Sequence, residues 1–194
     1  VEGYRTIVAD PPWRYSGQAC SPGLKRDGAR RKGHEVESTY PRMSVAEIAA
    51  LPVRESATED AHLYLWTTNA FMVEAHEIAR SWGFEPKTIC TWVKTCSGDP
   101  SRVSRKTGYY FRGATEHWLF CVRGSLRLQT SEALPTAYLW PRELEHSRKP
   151  DAFYDLVEQA SPGPYLELFA RRERLGWDTW GNESANSSGL PLAA

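Results

Sequence analysis

Hydrophobic and polar positions along this chain follow two different periods. Tyr4–Ala9 (YRTIVA) is a short, nearly continuous apolar run that stops at Asp10, the pattern of a strand buried on both faces. His62–Thr67 (HLYLWT), Lys87–Lys94 (KTICTWVK), Glu116–Val122 (EHWLFCV), Ala137–Trp140, Tyr165–Ala170 (YLELFA) and Trp177–Trp180 also read as strands. Between them the period becomes helical. Ser44-Val-Ala-Glu47 is a capping box that opens a helix over Ile48, Ala49 and Leu51, with Pro52 as its stop. Asn69 is placed to cap a second helix through about Ser81. Phe71, Ala75, Ile78 and Ala79 share one face of it, and Gly83 ends it. Pro150 falls in the first turn of a third helix through Ala160, with Asp151 at the positive end. Residues 14–39 and 95–115 lack periodicity, are rich in small and basic residues, and read as long loops. Strands alternating with helices predict an α/β fold, a parallel or mixed sheet with helices on both faces. The expected organisation is one domain over residues 1–183 and a disordered tail over 184–194.

Composition narrows the function without choosing it. The 194 residues suit one domain with a sizeable core. Lys and Arg number 24 and so do Asp and Glu, which excludes a polycationic coat but not a local basic patch. No apolar run approaches the roughly 18 residues of a membrane span. Val1–Asp10 is too short and too acidic for a signal peptide, so a cytoplasmic protein is expected. Cys20, Cys90, Cys96 and Cys121 form no C-x-x-C pair and read as reduced thiols. His34, His62, His76, His117 and His146 form no metal-ligand pattern, and no metal is expected. Most of the eight tryptophans and nine tyrosines are expected in the core.

The first strand runs straight into Asp10-Pro11-Pro12-Trp13 and then into the long basic loop. Asp-Pro alone is an ordinary strand stop. The whole tetrapeptide arises by chance in roughly one chain of this length in a few thousand. Its chemistry suits one task. The lone pair of an exocyclic amine on a base is delocalised into the ring, so the amine is a poor nucleophile. Acceptors that hold both N–H bonds favour a pyramidal, reactive nitrogen. A carboxylate and a proline-fixed carbonyl are such acceptors, and an aromatic beside them can stack on the base.

Asp10-Pro11-Pro12-Trp13 resembles the signature of the MT-A family, the seventy-kilodalton-subunit-like adenine N(6)-methyltransferases, in particular its bacterial and phage members. The likeness runs over residues 5–183. It includes Tyr40-Pro-Arg-Met43, Leu63–Trp66, Thr91-Trp-Val-Lys-Thr95, Thr107-Gly108 and Glu116-His117 with Val122-Arg-Gly124. It continues through Ser147-Arg-Lys-Pro-Asp151, Ser161-Pro-Gly163, Glu167-Leu-Phe-Ala-Arg171 and Gly181-Asn182. The resemblance implies a Rossmann-like sheet and S-adenosylmethionine-dependent methylation of the 6-amino group of adenine in nucleic acid. It implies that Asp10 and the Pro11 carbonyl hold the amine within the catalytic Asp10-Pro11-Pro12-Trp13 stretch. Asp10 would also meet the cofactor's amino group. Trp13 and Tyr40 would shape the base pocket. Lys149 would stand at the gate between cofactor and substrate. Arg171 would lie near the cofactor ribose, and Asn182 and Glu183 near its adenine. Glu167 is a candidate for a ribose hydroxyl and equally a plain edge carboxylate.

Three departures stand out. Glu173-Arg174 replaces a His-Asn pair of the eukaryotic enzymes. The eukaryotic contacts upstream of the signature strand have no counterpart in the nine residues before Asp10. No Gly-x-Gly loop lies near Phe169.

Two basic stretches, Lys25 to Lys32 with Arg30, Arg31 and Lys32, and Arg102 to Arg112 with Arg105 and Lys106, are candidates for phosphate contacts. The target base must leave its stack, so a single-stranded or flipped adenine is implied. DNA is favoured over RNA as the substrate. Two alternatives stay open: a catalytically silent member that binds nucleic acid or supports a partner subunit, and an enzyme of free adenine nucleosides. A homodimer or a paralogue partner is compatible with the resemblance.

Overall fold

The computed structural model describes residues 3–14, 42–104, 111–142 and 148–181. Its order of elements is β1 (Tyr4–Ala9), α1 (Val45–Ala49), α2 (Val53–Ser56), β2 (Ala57–Thr67), a 3-10 turn (Asn69–Phe71), α3 (Met72–Ser81), β3 (Glu85–Cys96), β4 (Asp99–Val103), β5 (Thr115–Arg123), β6 (Ala137–Pro141), α4 (Asp151–Ala160), β7 (Tyr165–Leu168) and β8 (Trp177–Trp180). One eight-stranded mixed sheet has the order β4-β3-β5-β2-β1-β7-β8, with β6 paired to β3. β1 runs parallel to β2 and β7, β7 to β8, and β3 to β6. β5 is antiparallel to both of its neighbours, β2 and β3.

Alternation along the central strands sorts their side chains onto two cores. Ile7, Ala9, Leu63, Leu65, Leu119 and Cys121 face α1, α2 and α3. Val8, Tyr64, Trp66, Trp92 and Trp118 face α4. Phe153 of α4 is fully buried there, with ring centroids 4.7 Å from Trp66, 5.2 Å from Trp118 and 6.1 Å from Tyr64. The mixed sheet with helices on both faces is thus as the periodicity predicts.

Local signals also carry through. Ser44 Oγ accepts from the Glu47 N–H, and the Ser44 N–H donates to the Glu47 carboxylate, a complete capping box. Phe71, Ala75, Ile78 and Ala79 are buried as expected, and Gly83, at φ 83°, turns the chain out of α3.

Four expectations are corrected. Asn69 does not cap α3; it opens the 3-10 turn, whose preceding residue Thr68 has the extended backbone of a cap. Pro52 does stop α1, but it also starts α2, since its fixed φ suits a helix entry. Residues 95–115 are not one loop, because Asp99–Val103 folds back on the end of β3 as β4. All five β4 residues are exposed, so no hydrophobic alternation marked the strand. β7 ends at Leu168, because Phe169 has φ 64° and leaves the ladder.

Phe153→Ala removes the side chain on which the α4-side core closes. It should cost about 3–5 kcal/mol in urea unfolding. A loss below about 1 kcal/mol would mean that α4 does not dock on this face.

Candidate active site

The chain leaves β1 towards β2 on one side and leaves β7 towards β8 on the other, so strand order reverses between β1 and β7. In open α/β sheets, ligands bind beyond the carboxyl ends of strands at such a reversal. Asp10 is the first residue past β1 and Arg171 the third past β7. Lys149 precedes Pro150, the N-cap of α4.

These three side chains meet. Lys149 Nζ donates to Asp10 Oδ2 at 2.7 Å, and Arg171 Nη2 lies 3.7 Å from the same oxygen. Lys149 Nζ is also 3.4 Å from Oε2 of Glu116, the second residue of β5. Glu116 Oε1 pairs in turn with Lys94, near the end of β3. Each ammonium lies over an indole, Lys149 at 4.8 Å from the Trp66 centroid and Lys94 at 4.7 Å from that of Trp92.

Burial opposes the charges of Lys149 and Glu116, and pairing overcomes it. Lys149 is only 9% exposed. Desolvation works against its ammonium, but Asp10 and Glu116 outweigh it and push its pKa up, with Arg171 in opposition. Burial likewise works against the charge of Glu116, yet Lys149 and Lys94 hold its carboxyl down at about 2.

Glu167 is the exception. Burial lifts its carboxyl above the usual range, against a hydrogen bond from Tyr154 and with help from the charge of Asp10. The Tyr154 hydroxyl donates to Glu167 Oε1 at 2.6 Å. Oε2 is buried and has no hydrogen-bond partner among the described residues. Glu167 is therefore not a plain edge carboxylate: it is 6% exposed, inside β7.

The signature stretch is rigid. The Trp13 N–H donates to the Pro11 carbonyl at 2.9 Å, the Met43 N–H to the Pro12 carbonyl at 3.0 Å, and the Arg14 N–H to the Met43 carbonyl at 3.1 Å. An sp² oxygen has two lone pairs, so Pro11 keeps one for a ligand. Trp13 is buried and stacked on Phe71, with centroids 4.9 Å apart, and forms a wall from within the core. Its exposed surface is small, so the ring is no open stacking platform in this state.

Tyr40, Arg30, Arg31, Lys32, Arg105, Lys106, Asn182 and Glu183 lie outside the described residues. The stems around them are described. Arg14 and Met43 are paired beyond β1, Ser104 and Ala114 both bond to Lys94 near the end of β3, and Gly181 follows β8. All these segments leave from the carboxyl edge that carries Asp10.

Sequence reasoning gave no role to Glu116, Lys94, Trp66 or Tyr154. A usable signal was present for two of them: Lys94 and Glu116 are ionisable residues at the ends of otherwise apolar strands. His117 hydrogen-bonds Thr91 at 3.0 Å across β3 and β5.

The family model described as MT-A70 matches residues 4–183. The chain belongs to the MT-A70 family. Its relatives include the Type II methyltransferase M.MunI of a Mycoplasma species, 30% identical over an alignment that covers 93% of this chain and 77% of that protein. The N(6)-adenosine-methyltransferase catalytic subunit METTL3 of Homo sapiens is 28% identical, with 93% of this chain and 28% of that protein covered. The N(6)-adenosine-methyltransferase MT-A70-like protein of Drosophila melanogaster is also 28% identical, with 93% and 27% covered. The chain thus spans well under two thirds of these two animal relatives.

The MT-A70 fold is that of S-adenosylmethionine-dependent methyltransferases, and the residues present fit that molecule. Asp10 beside Lys149 and Arg171 offers both signs of charge to an amino-acid zwitterion. The buried Glu167 Oε2, without a hydrogen-bond partner among the described residues, is an acceptor or, when protonated, a donor for a hydroxyl. A Cβ on Gly181 would come within 2.5 Å of the Ala170 carbonyl oxygen, so the backbone past β8 lies flush against the end of β7. Among the described residues, no cluster of three or more His, Cys, Asp or Glu side chains is placed to hold a metal. No described helix is long and apolar enough to cross a membrane.

Because its carboxyl is depressed from 4.5 to about 2, Glu116 contributes stability that is present above pH 4.5 and lost as pH falls towards 2. Glu116→Gln lacks this contribution. The gap in urea midpoint between the parent and Glu116→Gln should therefore narrow from pH 5 to pH 3. A gap independent of pH would show that the carboxylate is not held by the two lysines.

Proposed function

We propose that this MT-A70 protein transfers the methyl group of S-adenosylmethionine to the 6-amino group of adenine in nucleic acid, with DNA favoured over RNA. The observation that carries the reading is the juxtaposition of Asp10, Lys149 and Arg171 at the strand-order reversal, next to the fixed Pro11 carbonyl.

When bound, S-adenosylmethionine supplies a methyl group on a positively charged sulfur, which departs as a neutral thioether. Asp10 and the Pro11 carbonyl accept the two N–H bonds of the adenine amine and favour a pyramidal nitrogen. Lys149 and Arg171 hold Asp10 through Oδ2, and its other oxygen accepts one N–H. Methylation leaves one proton too many on the nitrogen, and Asp10 is the base beside it. Fixing the acceptors in advance spares the reorganisation that the same hydrogen bonds would need in solution.

The basic stretches around Arg30, Arg31 and Lys32 and around Arg105 and Lys106 are rooted at this edge and are assigned to phosphate contacts. Asn182 and Glu183, next to Gly181, are assigned to the cofactor adenine, and Tyr40 and Trp13 to the base pocket. The preference for DNA follows the Arg171-Arg-Glu-Arg174 sequence, which resembles that of bacterial and phage members. A cytoplasmic location is part of the proposal.

Labelled S-adenosylmethionine offered with single-stranded DNA, duplex DNA, RNA or free adenosine tests the reading. Label should enter adenine in a DNA polymer. Asp10→Ala should abolish it while circular dichroism still shows a folded chain, of lowered stability, because Glu116 continues to compensate the Lys149 ammonium. Label on free adenosine alone would move the substrate to nucleosides. A failure to label any acceptor, with cofactor bound, would favour the silent-subunit reading.

Replacing Arg30, Arg31 and Lys32 together should weaken polynucleotide binding and flatten its salt dependence by about three phosphate contacts, a log–log slope change of roughly 2–3. Cofactor affinity should not change. Equal loss of both affinities would remove the loop from the nucleic-acid surface.

A further inference from the structure

The charges at the carboxyl edge form a row in which the sign alternates: Lys94, Glu116, Lys149, Asp10. Lys94 stands at the far end, on β3, separated from β1 by β5 and β2. It is 6% exposed, its ammonium lies over Trp92, and it pairs with Glu116. A buried lysine is costly to keep, and here its partner is not the reacting carboxylate but the residue next along.

The connectivity gives Lys94 a task. Glu116 uses one oxygen for each lysine, Oε1 for Lys94 and Oε2 for Lys149. Lys149 is shared unequally, at 2.7 Å from Asp10 and 3.4 Å from Glu116. Attraction between buried charges rises steeply as they approach. If Lys94 were neutral, the whole charge of Glu116 would act on Lys149, and Lys149 would move from Asp10 towards Glu116. Asp10 would then lose the contact that orients its carboxylate.

We propose that Lys94 is a positioning residue for methyl transfer: by occupying one oxygen of Glu116, it keeps the Lys149 ammonium on Asp10. The proposal rests on the methyltransferase reading above and adds to it a residue that touches neither substrate nor cofactor. The depressed carboxyl of Glu116 agrees with a carboxylate held from both sides.

The test is a double-mutant cycle of Lys94→Met and Glu116→Gln, with Lys94→Arg as the conservative variant. Met keeps the hydrocarbon stem over Trp92 and removes only the charge. Lys94→Met should lower kcat on the order of 10- to 100-fold, the scale of a misplaced catalytic group, with KM for the cofactor little changed. Lys94→Arg should restore most of the rate. In the Glu116→Gln background, Lys94→Met should cost little more, because the path through Glu116 is already cut. Losses that multiply independently would overturn the proposal.

A second readout needs no turnover. Carbon-13 titration of the side-chain carboxyls should show Glu116 rising from about 2 in Lys94→Met, and a crystal structure of that variant should show the Lys149 ammonium moved from Asp10 to Glu116. If the parent chain methylates no acceptor, the function proposed above fails, and these measurements still decide the positioning. A Lys149 ammonium that stays on Asp10 in the Lys94→Met structure would overturn it. Should Lys94→Met fail to fold, Lys94→Gln carries the same measurements.

Discussion

The arrangement at the carboxyl edge depends on how one buried ammonium is compensated. Lys149 keeps its charge with little access to water because Asp10 and Glu116 both lie within ion-pair distance and the Trp66 ring lies beneath it. An uncompensated ammonium at that depth would lose its proton or open the structure to water. The carboxylates must therefore be where they are, and that fixes the relative placement of β1, β5 and the segment entering α4. Arg171 at the end of β7 draws the fourth element in.

The core and the site share one wall. Trp66 packs edge-on against Phe153 and lies 4.9 Å from Trp118, and the same ring carries the ammonium of Lys149. Docking of α4 against the sheet thus positions both Lys149, just before its first turn, and the indole on which Lys149 rests. On the opposite face, Trp13 stacks on Phe71, so the Asp-Pro-Pro-Trp stretch is anchored in the core beneath α3. Anchoring on both faces leaves Asp10 little freedom, which is what a preorganised acceptor requires.

Much of this was legible beforehand. Strands such as Tyr4–Ala9 and Trp177–Trp180 have the predicted bounds, and the capping box at Ser44 forms as its residues dictate. These features depend on neighbours within a few residues, where side-chain chemistry acts directly on the backbone. The exposed strand β4 escaped notice because pairing with the end of β3 holds it, and no hydrophobic pattern marks it. The burial of Glu167 is not legible in the sequence, because it comes from Tyr154 and the α4-side packing.

By itself the sequence determined the alternation of strands and helices, the apolar face of each, and a tetrapeptide whose chemistry suits an aromatic amine. All of these are local or periodic properties. Only the tertiary structure decided which charges meet. Lys149 and Asp10 are 139 residues apart, and Lys94 and Glu116 are 22 apart on different strands. Nothing in the local chemistry of a lysine names its partner at such a distance. Strand order and the docking of α4 bring the four side chains to one edge, and the cost of burying an unpaired charge makes them pair there.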